Sequence, residues 1–267
     1  MISPYYKTTL GTLYHGNCMD MLSFFPKQSV QLILVDLPYG QTHNEWDSVL
    51  DLQKLWTFYH DLRKPNTAII LFGQGMFSAS VMLSQPTLWR YNLIWNKIDP
   101  SGHLNAKLMP LRSHEDILVF YEKLPIYNPQ KTIGKKNHSI GKNTLQNPVL
   151  NNNYGDFVYQ DNADIYQNLK FPKSILTFQR VPTSKALHPT QKSLDLLKYL
   201  IETYTNEGDM VLDHCSGSGT TAVACEHLKR KWICIEQEKK YCDITIQRLE
   251  REVLTICNKS LDYFFKG

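Results

Sequence analysis

The sequence lacks the features of a membrane or secreted protein. No apolar run in its 267 residues approaches the ~18 residues that a membrane-spanning helix needs. We also expect no signal peptide, and low-complexity disorder is excluded because Trp, Tyr and Phe occur along the whole length of the sequence. We therefore expect a folded, cytoplasmic protein that contacts no membrane.

Cysteine patterns typical of zinc sites or of a disulfide framework are also absent. The sequence has six cysteines, but none forms a Cys-x-x-Cys pair. A zinc site built from His227, Cys234 and Cys242 can be imagined, but its spacing matches no established ligand pattern. We expect reduced, mostly buried thiols and no metal site.

A large excess of charge of one sign is lacking as well. The net charge of +4 permits a nucleic-acid partner without requiring one. The positive charge is unevenly distributed, because residues 123–185 contain nine Lys or Arg and only three Asp. Aromatic residues are interleaved with them, among them Tyr127, Tyr154, Phe157, Tyr159 and Tyr166. This composition suits contact with phosphates and stacking on bases, but it equally suits a solvated surface insertion.

Apolar runs alternate with helical patterns on both sides of this basic segment. Before it, buried strands are predicted at residues 31–35, 67–72, 91–95 and 116–121. After it, strands are predicted at 210–213 and 231–236, and helices at 194–205, 220–230 and 237–254. Ser193 is a candidate N-cap for the first of these helices. Apolar strands separated by helices predict an α/β fold with a mostly parallel sheet covered on both faces.

Residues 213–221 (Asp-His-Cys-Ser-Gly-Ser-Gly-Thr-Thr) join a predicted strand to a predicted helix. Gly217 and Gly219 allow the backbone to turn tightly beneath a ligand. Glu236 ends the next predicted strand, where a carboxylate can accept hydrogen bonds from both ribose hydroxyls. The turn lacks the third glycine of the dinucleotide fingerprint and the Gly-Lys-Ser/Thr of a P-loop. An adenosine ligand without a pyrophosphate therefore fits better than NAD or ATP.

A second polar segment, Asp36-Leu37-Pro38-Tyr39, directly follows the predicted strand 31–35. Asp36 can accept a hydrogen bond from an exocyclic amino group, and the Leu37 carbonyl can accept the second amino hydrogen. Tyr39 can stack on a planar ring. The carboxyl end of a strand is where α/β sheets bind substrates. Taken alone, the segment is also compatible with an ordinary turn.

Together, the two segments resemble the beta-class DNA amino-methyltransferases that use S-adenosylmethionine. The family pattern Asp-Pro-Pro-Tyr is matched by residues 36–39 at three of four positions, and residues 213–221 resemble Asp-Pro-Phe-x-Gly-Ser-Gly-Thr-Thr. Three further segments resemble family motifs in the same order: residues 15–18 (HGNC), 112–115 (RSHE) and 188–192 (HPTQK). The resemblance extends over residues ~12 to 250.

The resemblance implies a Rossmann-like methyltransferase fold. This fold has a mostly parallel seven-stranded sheet with helices on both faces. Its motif order is circularly permuted, so that the catalytic motif precedes the cofactor motif. Residues 1–121 and 186–267 are expected to form the catalytic and cofactor-binding domain, and residues 122–185 the target-recognition insertion.

The resemblance also implies roles for individual residues. Asp36, Leu37, Pro38 and Tyr39 are expected to act on the target amino group. The residues expected to bind S-adenosylmethionine are Asn17, Cys18, Asp36, Thr190, Lys192, Asp213, Cys215, Gly217, Gly219, Thr220 and Glu236, with Thr190 and Lys192 beside its methionine end. Lys107, Arg180 and Lys185 are candidate contacts to DNA phosphates, although plain surface charge accounts for each equally well.

Three departures from the family pattern bear on the expected roles. Leu37 replaces a proline, but its expected contact is made by a backbone carbonyl. Cys215 replaces a phenylalanine expected near the cofactor, which loosens the packing there. Ser193 replaces a final proline, and its capping role offers a compensation. None of these changes removes a group that the chemistry needs.

The implied reaction is site-specific transfer of a methyl group to N6 of adenine in DNA, by direct attack from a flipped base. Cytosine-N4 methylation uses the same geometry, but its motif usually begins with Ser, so Asp36 favours adenine. A catalytically weak DNA-binding relative is a further alternative, against which the intact Asp36, Tyr39 and Glu236 argue. The family also implies a bacterial or phage-encoded protein, with DNA as partner. A homodimer and a cognate restriction endonuclease are further candidate partners.

Overall fold

The computed structural model describes residues 2–40, 50–134, 168–182 and 184–264, and it describes side chains as far as Arg251. A large sheet runs through these residues. Its strands are β1 (Tyr6–Lys7), β2 (Gly11–His15), β3 (Val30–Val35), β4 (Arg63–Gly73), β5 (Trp89–Ser101), β6 (Arg112–Phe120), β9 (Ile175–Thr177), β10 (Met210–Asp213) and β11 (Lys231–Glu236). A separate two-stranded sheet contains β7 (Thr132–Ile133) and β8 (Leu169–Lys170). The strand order of the large sheet is β1-β2-β11-β10-β3-β4-β6-β5-β9.

The large sheet is mostly parallel, which confirms the predicted α/β class. Five of its eight strand pairings are parallel, while β1 pairs antiparallel with β2, and β6 runs antiparallel between β4 and β5. The described sheet has nine strands rather than the seven expected. The short edge strands β1 and β9 are only two and three residues long, so no apolar run in the sequence marks them.

Helices cover both faces of the large sheet. They are α1 (Cys18–Met21), α2 (Leu52–Leu62), α3 (Met76–Ser84), α4 (Leu194–Tyr204), α5 (Thr220–Leu228) and α6 (Lys239–Phe264). Leu32 and Leu34 of β3 pack in the cluster that contains buried side chains of α4, α5 and α6. Ile33 and Val35 pack in the opposite cluster, with side chains of α1, α2 and α3. Successive strand residues therefore support two separate apolar layers. Within the described residues, no helix is both long and apolar enough to cross a membrane.

The predicted elements nearest the glycine turn agree closely with the structure. β10 and β11 have the predicted bounds, and α4 differs from its predicted range by one residue. Ser193 occupies the predicted N-cap position of α4, but its side chain makes no capping hydrogen bond, so the compensation expected from capping is not observed. Burial of the apolar face of α4 stabilises this helix instead.

The connections that follow β3 and β10 pass over opposite faces of the sheet. β3 continues through α2 to β4, whereas β10 continues through α5 to β11. The two strands are parallel neighbours, with Val211 opposite Leu32. A crevice opens at the carboxyl ends of parallel strands whose connections diverge in this way. The segments 36–39 and 214–219 follow these two strands and therefore meet at the crevice.

The chain divides into two compact units, Met1–Asn128 with Ser174–Gly267, and Pro129–Lys173. In the second unit, β7 and β8 are antiparallel, and Lys131 Nζ lies 4.5 Å from the ring centroid of Phe171. The predicted insertion at residues 122–185 includes this unit, and it also includes β9 of the large sheet. Four of its aromatic residues lie outside the described residues: Tyr154, Phe157, Tyr159 and Tyr166. Target recognition by this segment therefore stays a prediction.

Candidate active site

The carboxylate of Asp36 lies directly beyond the C-terminal end of β3. Its Oδ2 accepts a hydrogen bond from Lys192 Nζ at 2.6 Å, and its Oδ1 accepts one from Tyr39 Oη at 3.0 Å. Burial raises the pKa of Asp36, and the adjacent ammonium group of Lys192 partly opposes that rise. Each carboxylate oxygen has room for a further donor, so Asp36 can still accept a hydrogen bond from an amino group.

Apolar and aromatic packing holds the two neighbours of this carboxylate. Leu37 is buried in the apolar layer that contains α2 and α3. The Tyr39 ring stacks on Phe77 of α3, with ring centroids 4.6 Å apart and an interplanar angle of 29°. Burial raises the pKa of Tyr39 well above its ordinary value. Tyr39 is therefore protonated and acts as a fixed donor to Asp36.

A chain of alternating charges leads away from Asp36 through Lys192. Lys192 Nζ lies 3.1 Å from Glu115 Oε2, and Glu115 Oε1 forms an ion pair with Lys97. Burial opposes the charge on Lys192, but Asp36 and Glu115 raise its pKa to about 12. Burial also disfavours the charge on Glu115, yet the two lysines hold its pKa below the ordinary value. Two acids and two bases therefore balance each other in a largely buried network.

The glycine turn after β10 is organised by the carboxylate of Asp213. Its Oδ2 accepts a hydrogen bond from Thr221 Oγ1 at 2.5 Å, and its Oδ1 accepts one from the Cys215 N–H at 3.1 Å. Burial raises the pKa of Asp213 to about 6. Gly219 has φ +73°, and a Cβ there would lie 2.3 Å from Thr245 Cγ2. Both the left-handed conformation and the close approach of α6 therefore require glycine at this position.

Glu236 connects the end of β11 to this turn. Its Oε2 accepts a hydrogen bond from the Gly217 N–H at 2.7 Å, and its Oε1 accepts one from the Glu238 N–H at 2.8 Å. Burial raises its pKa to about 7, and the two backbone donors partly oppose that rise. The carboxylate is thereby fixed in orientation, with lone pairs remaining for two hydroxyl donors.

A single cavity of about 440 Å³ contacts both Asp36 and Glu236. Most of the predicted site residues line it, namely Asn17, Cys18, Asp36, Leu37, Pro38, Tyr39, Thr190, Lys192, Asp213, Cys215, Gly217, Thr220 and Glu236. The acceptor for an amino group and the turn for an adenosine ligand therefore face one space. Direct group transfer between two bound molecules requires such a shared space.

Comparison with known proteins identifies the family to which this site belongs. Residues 30–247 match the model of the N6/N4 methyltransferase family, which is described as DNA methylase. The chain belongs to this DNA methylase family. It is 25% identical over 280 residues to the Type II methyltransferase M2.MboI of Moraxella bovis, and the match covers 92% of this chain and 91% of that relative. The predicted family resemblance is confirmed.

Two solved structures are similar to the fold of this DNA methylase. The complex of M1.HpyAVI with SAM matches with a TM-score of 0.61 and 23% identity, over 90% of this chain and 99% of that chain. The PvuII DNA methyltransferase, described as cytosine-N4-specific, matches with a TM-score of 0.64 and 17% identity, over 92% of this chain and 89% of that chain. At these identities the two structures support the fold.

Several predicted site residues of this DNA methylase either do not line the cavity or make contacts that differ from those expected. Within the described residues, Gly219 does not line the cavity, and Lys107 and Lys185 are exposed and do not line it either. Lys192, expected beside the methionine end of a cofactor, contacts Asp36. Arg180 lines the cavity, and its buried Nε makes no hydrogen bond within the described part of the chain.

His188, in the predicted motif before α4, is a neutral structural residue. Its Nδ1 accepts a hydrogen bond from the Thr190 N–H at 3.2 Å, and its ring meets Tyr241 edge-on with centroids 4.2 Å apart. Burial lowers the pKa of His188 to about 4. The ring also limits the space above Gly217, where a Cβ would lie 3.4 Å from His188 Cδ2.

Two supporting residues of this DNA methylase were missed by sequence reasoning, and a third was noted without a role. Lys97 lies two residues beyond the predicted strand 91–95, and Glu115 ends the segment 112–115, which indicates no partner for its carboxylate. Arg248 of α6 donates hydrogen bonds from Nη1 to the Ser218 carbonyl at 2.6 Å and to Thr220 Oγ1 at 3.0 Å. These bonds stabilise the conformation of the glycine turn. The partners of these three residues are 18 to 77 positions away in the sequence, so no local spacing indicates these contacts.

Proposed function

We propose that this DNA methylase transfers a methyl group from S-adenosylmethionine to N6 of adenine at a specific DNA sequence. The observation that carries the proposal is the shared cavity, in which Asp36 and the turn held by Glu236 lie at the ends of neighbouring strands. Family membership supports DNA as the substrate. The choice of adenine rests on the aspartate at position 36, as the family pattern implies.

The residues present fit the adenosine half of this cofactor. Glu236 presents a buried carboxylate whose two backbone donors leave lone pairs for ribose hydroxyls. Gly217 keeps the turn open, because any Cβ there would extend toward the His188 ring. Asn17 and Cys18 line the wall beside the turn, and we assign them to the adenine end. The bound cofactor supplies an electrophilic methyl group on a sulfonium centre.

Asp36 and the Leu37 carbonyl are assigned to the target amino group. An aromatic amino nitrogen is a weak nucleophile because its lone pair is delocalised into the ring. Two acceptors that hold both amino hydrogens favour a pyramidal nitrogen and stabilise the positive charge that develops on it. Lys192 favours the ionised form of Asp36, and Tyr39 fixes the carboxylate from its other side. No covalent intermediate with the protein is needed.

The target base must leave the duplex to reach Asp36, at a cost of roughly a few kcal/mol. Tyr39 lines the cavity with its ring already fixed against Phe77, so it can contact the flipped base without losing side-chain freedom. Arg180 offers a buried Nε on the cavity wall, and we assign it to a phosphate next to the flipped nucleotide. Lys107 and Lys185 are assigned to phosphates farther along the duplex.

The test is methylation of genomic DNA from a methylation-free bacterial strain, followed by nucleoside mass spectrometry and modification-sensitive sequencing. The proposal predicts N6-methyladenine within one sequence motif. N4-methylcytosine would overturn the choice of base, and the absence of any methylated base would overturn the function. The Asp36→Ala variant serves as the matched negative control. A homodimer and a cognate restriction endonuclease remain predictions.

A further inference from the structure

Two cysteines and a histidine converge on the wall of the cavity. Cys18 begins α1, and His214 and Cys215 directly follow β10. One ligand atom from each residue lies within 4.8 Å of the other two. The Cys215 Sγ is 3.3 Å from His214 Nδ1. The proposed methyl transfer uses no thiol as a nucleophile and leaves His214 without a role.

The surrounding contacts hold the His214 ring and the Cys215 backbone in place. His214 Nε2 is 2.7 Å from the hydroxyl of Tyr59, and both residues are almost fully buried. When Nε2 carries the ring proton and donates it to Tyr59 Oη, Nδ1 is left as an acceptor beside Cys215. The Cys215 backbone is held by its N–H bond to Asp213 Oδ1. A ligating histidine whose other ring nitrogen is anchored by a hydrogen bond is the usual arrangement in metal sites.

The donor set and its spacing match a thiophilic cation. Two sulfurs and one imidazole nitrogen suit Zn²⁺ and similar d¹⁰ ions, with Zn–S near 2.3 Å and Zn–N near 2.0–2.1 Å. A tetrahedron with these bond lengths has edges of roughly 3.4–3.8 Å, so shifts of about an ångström or less bring the three ligand atoms into position. Three protein ligands leave the fourth position open.

We propose that Cys18, His214 and Cys215 bind one thiophilic d¹⁰ divalent cation, Zn²⁺ or Cd²⁺, on the cavity wall. The two thiols lose their protons to solvent as the ion binds, and His214 binds through Nδ1. An ion here occupies space beside Asn17 and Asp213, so it also weakens cofactor binding. That second consequence rests on the cofactor site proposed above, whereas metal binding does not.

Cadmium titration of the full chain without cofactor tests the site. We expect one Cd²⁺ per chain, with the ultraviolet charge-transfer absorption of two cadmium–thiolate bonds. Cys18→Ser and Cys215→Ser should each weaken binding at least tenfold. Tyr59→Phe should weaken it about tenfold, since it removes the anchor of His214. Cys225→Ala, which changes a buried thiol outside the cluster, should bind Cd²⁺ like the wild type. Thermal melts establish that each variant is folded.

Wild-type binding no tighter than that of the Cys18→Ser/Cys215→Ser double variant would overturn the proposal. The second arm measures S-adenosylmethionine affinity with and without one equivalent of Zn²⁺. We expect zinc to weaken cofactor binding at least tenfold in the wild type. In the double variant, the cofactor affinity should be the same with and without zinc. An equal loss of affinity in both proteins would contradict competition at this site. Because the cadmium arm needs neither cofactor nor DNA, its outcome is independent of the methyltransferase function.

Discussion

Lys192 donates a hydrogen bond to Asp36 across 2.6 Å, and the same ammonium group lies 3.1 Å from Glu115. One buried lysine is therefore shared between the proposed catalytic carboxylate and a second acid. The ionisation of Asp36 depends on this lysine, because burial and Glu115 both raise the pKa of Asp36.

Replacing Lys192 by methionine should raise the pKa of Asp36 further, because the opposing cation is lost. Protonated Asp36 is a poorer acceptor for the amino hydrogen, so methyl transfer should fall about tenfold for each unit by which the raised pKa exceeds the assay pH. The measurement is the single-turnover methylation rate between about pH 6 and pH 9. The acid limb of the profile should move to higher pH, and Lys192→Arg should retain the wild-type limb. An unshifted limb in Lys192→Met would show that Lys192 does not control Asp36.

Substitutions of Lys97 and Glu115 should have strongly non-additive effects on the free energy of unfolding. Lys97→Met leaves Glu115 with a single cation, and removing one partner of a buried ion pair costs about 3–5 kcal/mol. Lys97→Met/Glu115→Gln should be more stable than the sum of the single changes predicts, by about 1–3 kcal/mol. Urea unfolding of the four proteins measures this coupling.

The exposed pair of Lys229 and Glu207, 4.0 Å apart, is the matched control for this cycle. Solvent screens such pairs, so its double-mutant cycle should give no measurable coupling. Additive effects at Lys97 and Glu115, equal to those at the control pair, would mean that the buried network does not act as a unit.

Glu236 should make the stability of the cofactor-free protein depend on pH. Its pKa is about 7 in the folded chain, above the ordinary value of 4.5. The folded chain therefore binds this proton more tightly, so the stability that it contributes is present below about pH 4.5 and is lost as the pH rises through about 7. The free energy of unfolding of Glu236→Gln should fall less between pH 5 and pH 7 than that of the wild type. Glu238→Gln, which keeps the backbone N–H that donates to Glu236, is the control. If the free energy of unfolding depended on pH equally in Glu236→Gln and the wild type, the raised pKa would not belong to Glu236.

Gly219→Ala should destabilise the protein more than Gly217→Ala. An added Cβ at Gly219 would lie 2.3 Å from Thr245 Cγ2, whereas one at Gly217 would meet the His188 ring at 3.4 Å. Both positions have positive φ, so each alanine also carries a strain of roughly 1–3 kcal/mol. Thermal denaturation compares the two variants, and Gly219→Ala/Thr245→Ala should recover part of the loss. Equal melting temperatures for the two single variants would contradict the close approach of α6.

The fold and the two motifs were predictable because their signals are local. The apolar run at residues 231–236 ends at Glu236 and starts after a helix, so β11 was predicted with its observed bounds. The position of Asp36 after β3 followed in the same way. The edge strand β9 was missed, because its three residues pair with β5 about eighty positions earlier.

The support around Asp36 was not predictable from the sequence. Lys192 was expected beside the cofactor, and its contact with Asp36 spans 156 positions. The bond from Arg248 to Ser218 spans 30 positions and depends on how α6 packs under the turn. Such contacts arise from tertiary packing, which neither periodicity nor motif spacing encodes.

The most direct test of the central claim compares Asp36→Ala with the wild type in two assays. Calorimetry measures S-adenosylmethionine affinity, and a single-turnover assay measures methyl transfer to DNA that contains the recognition motif. Asp36 is assigned to the amino group, so we expect cofactor affinity within about threefold of the wild type and a loss of methyl transfer of about 10²–10³ or more. Methyl transfer near the wild-type rate in Asp36→Ala would contradict the account.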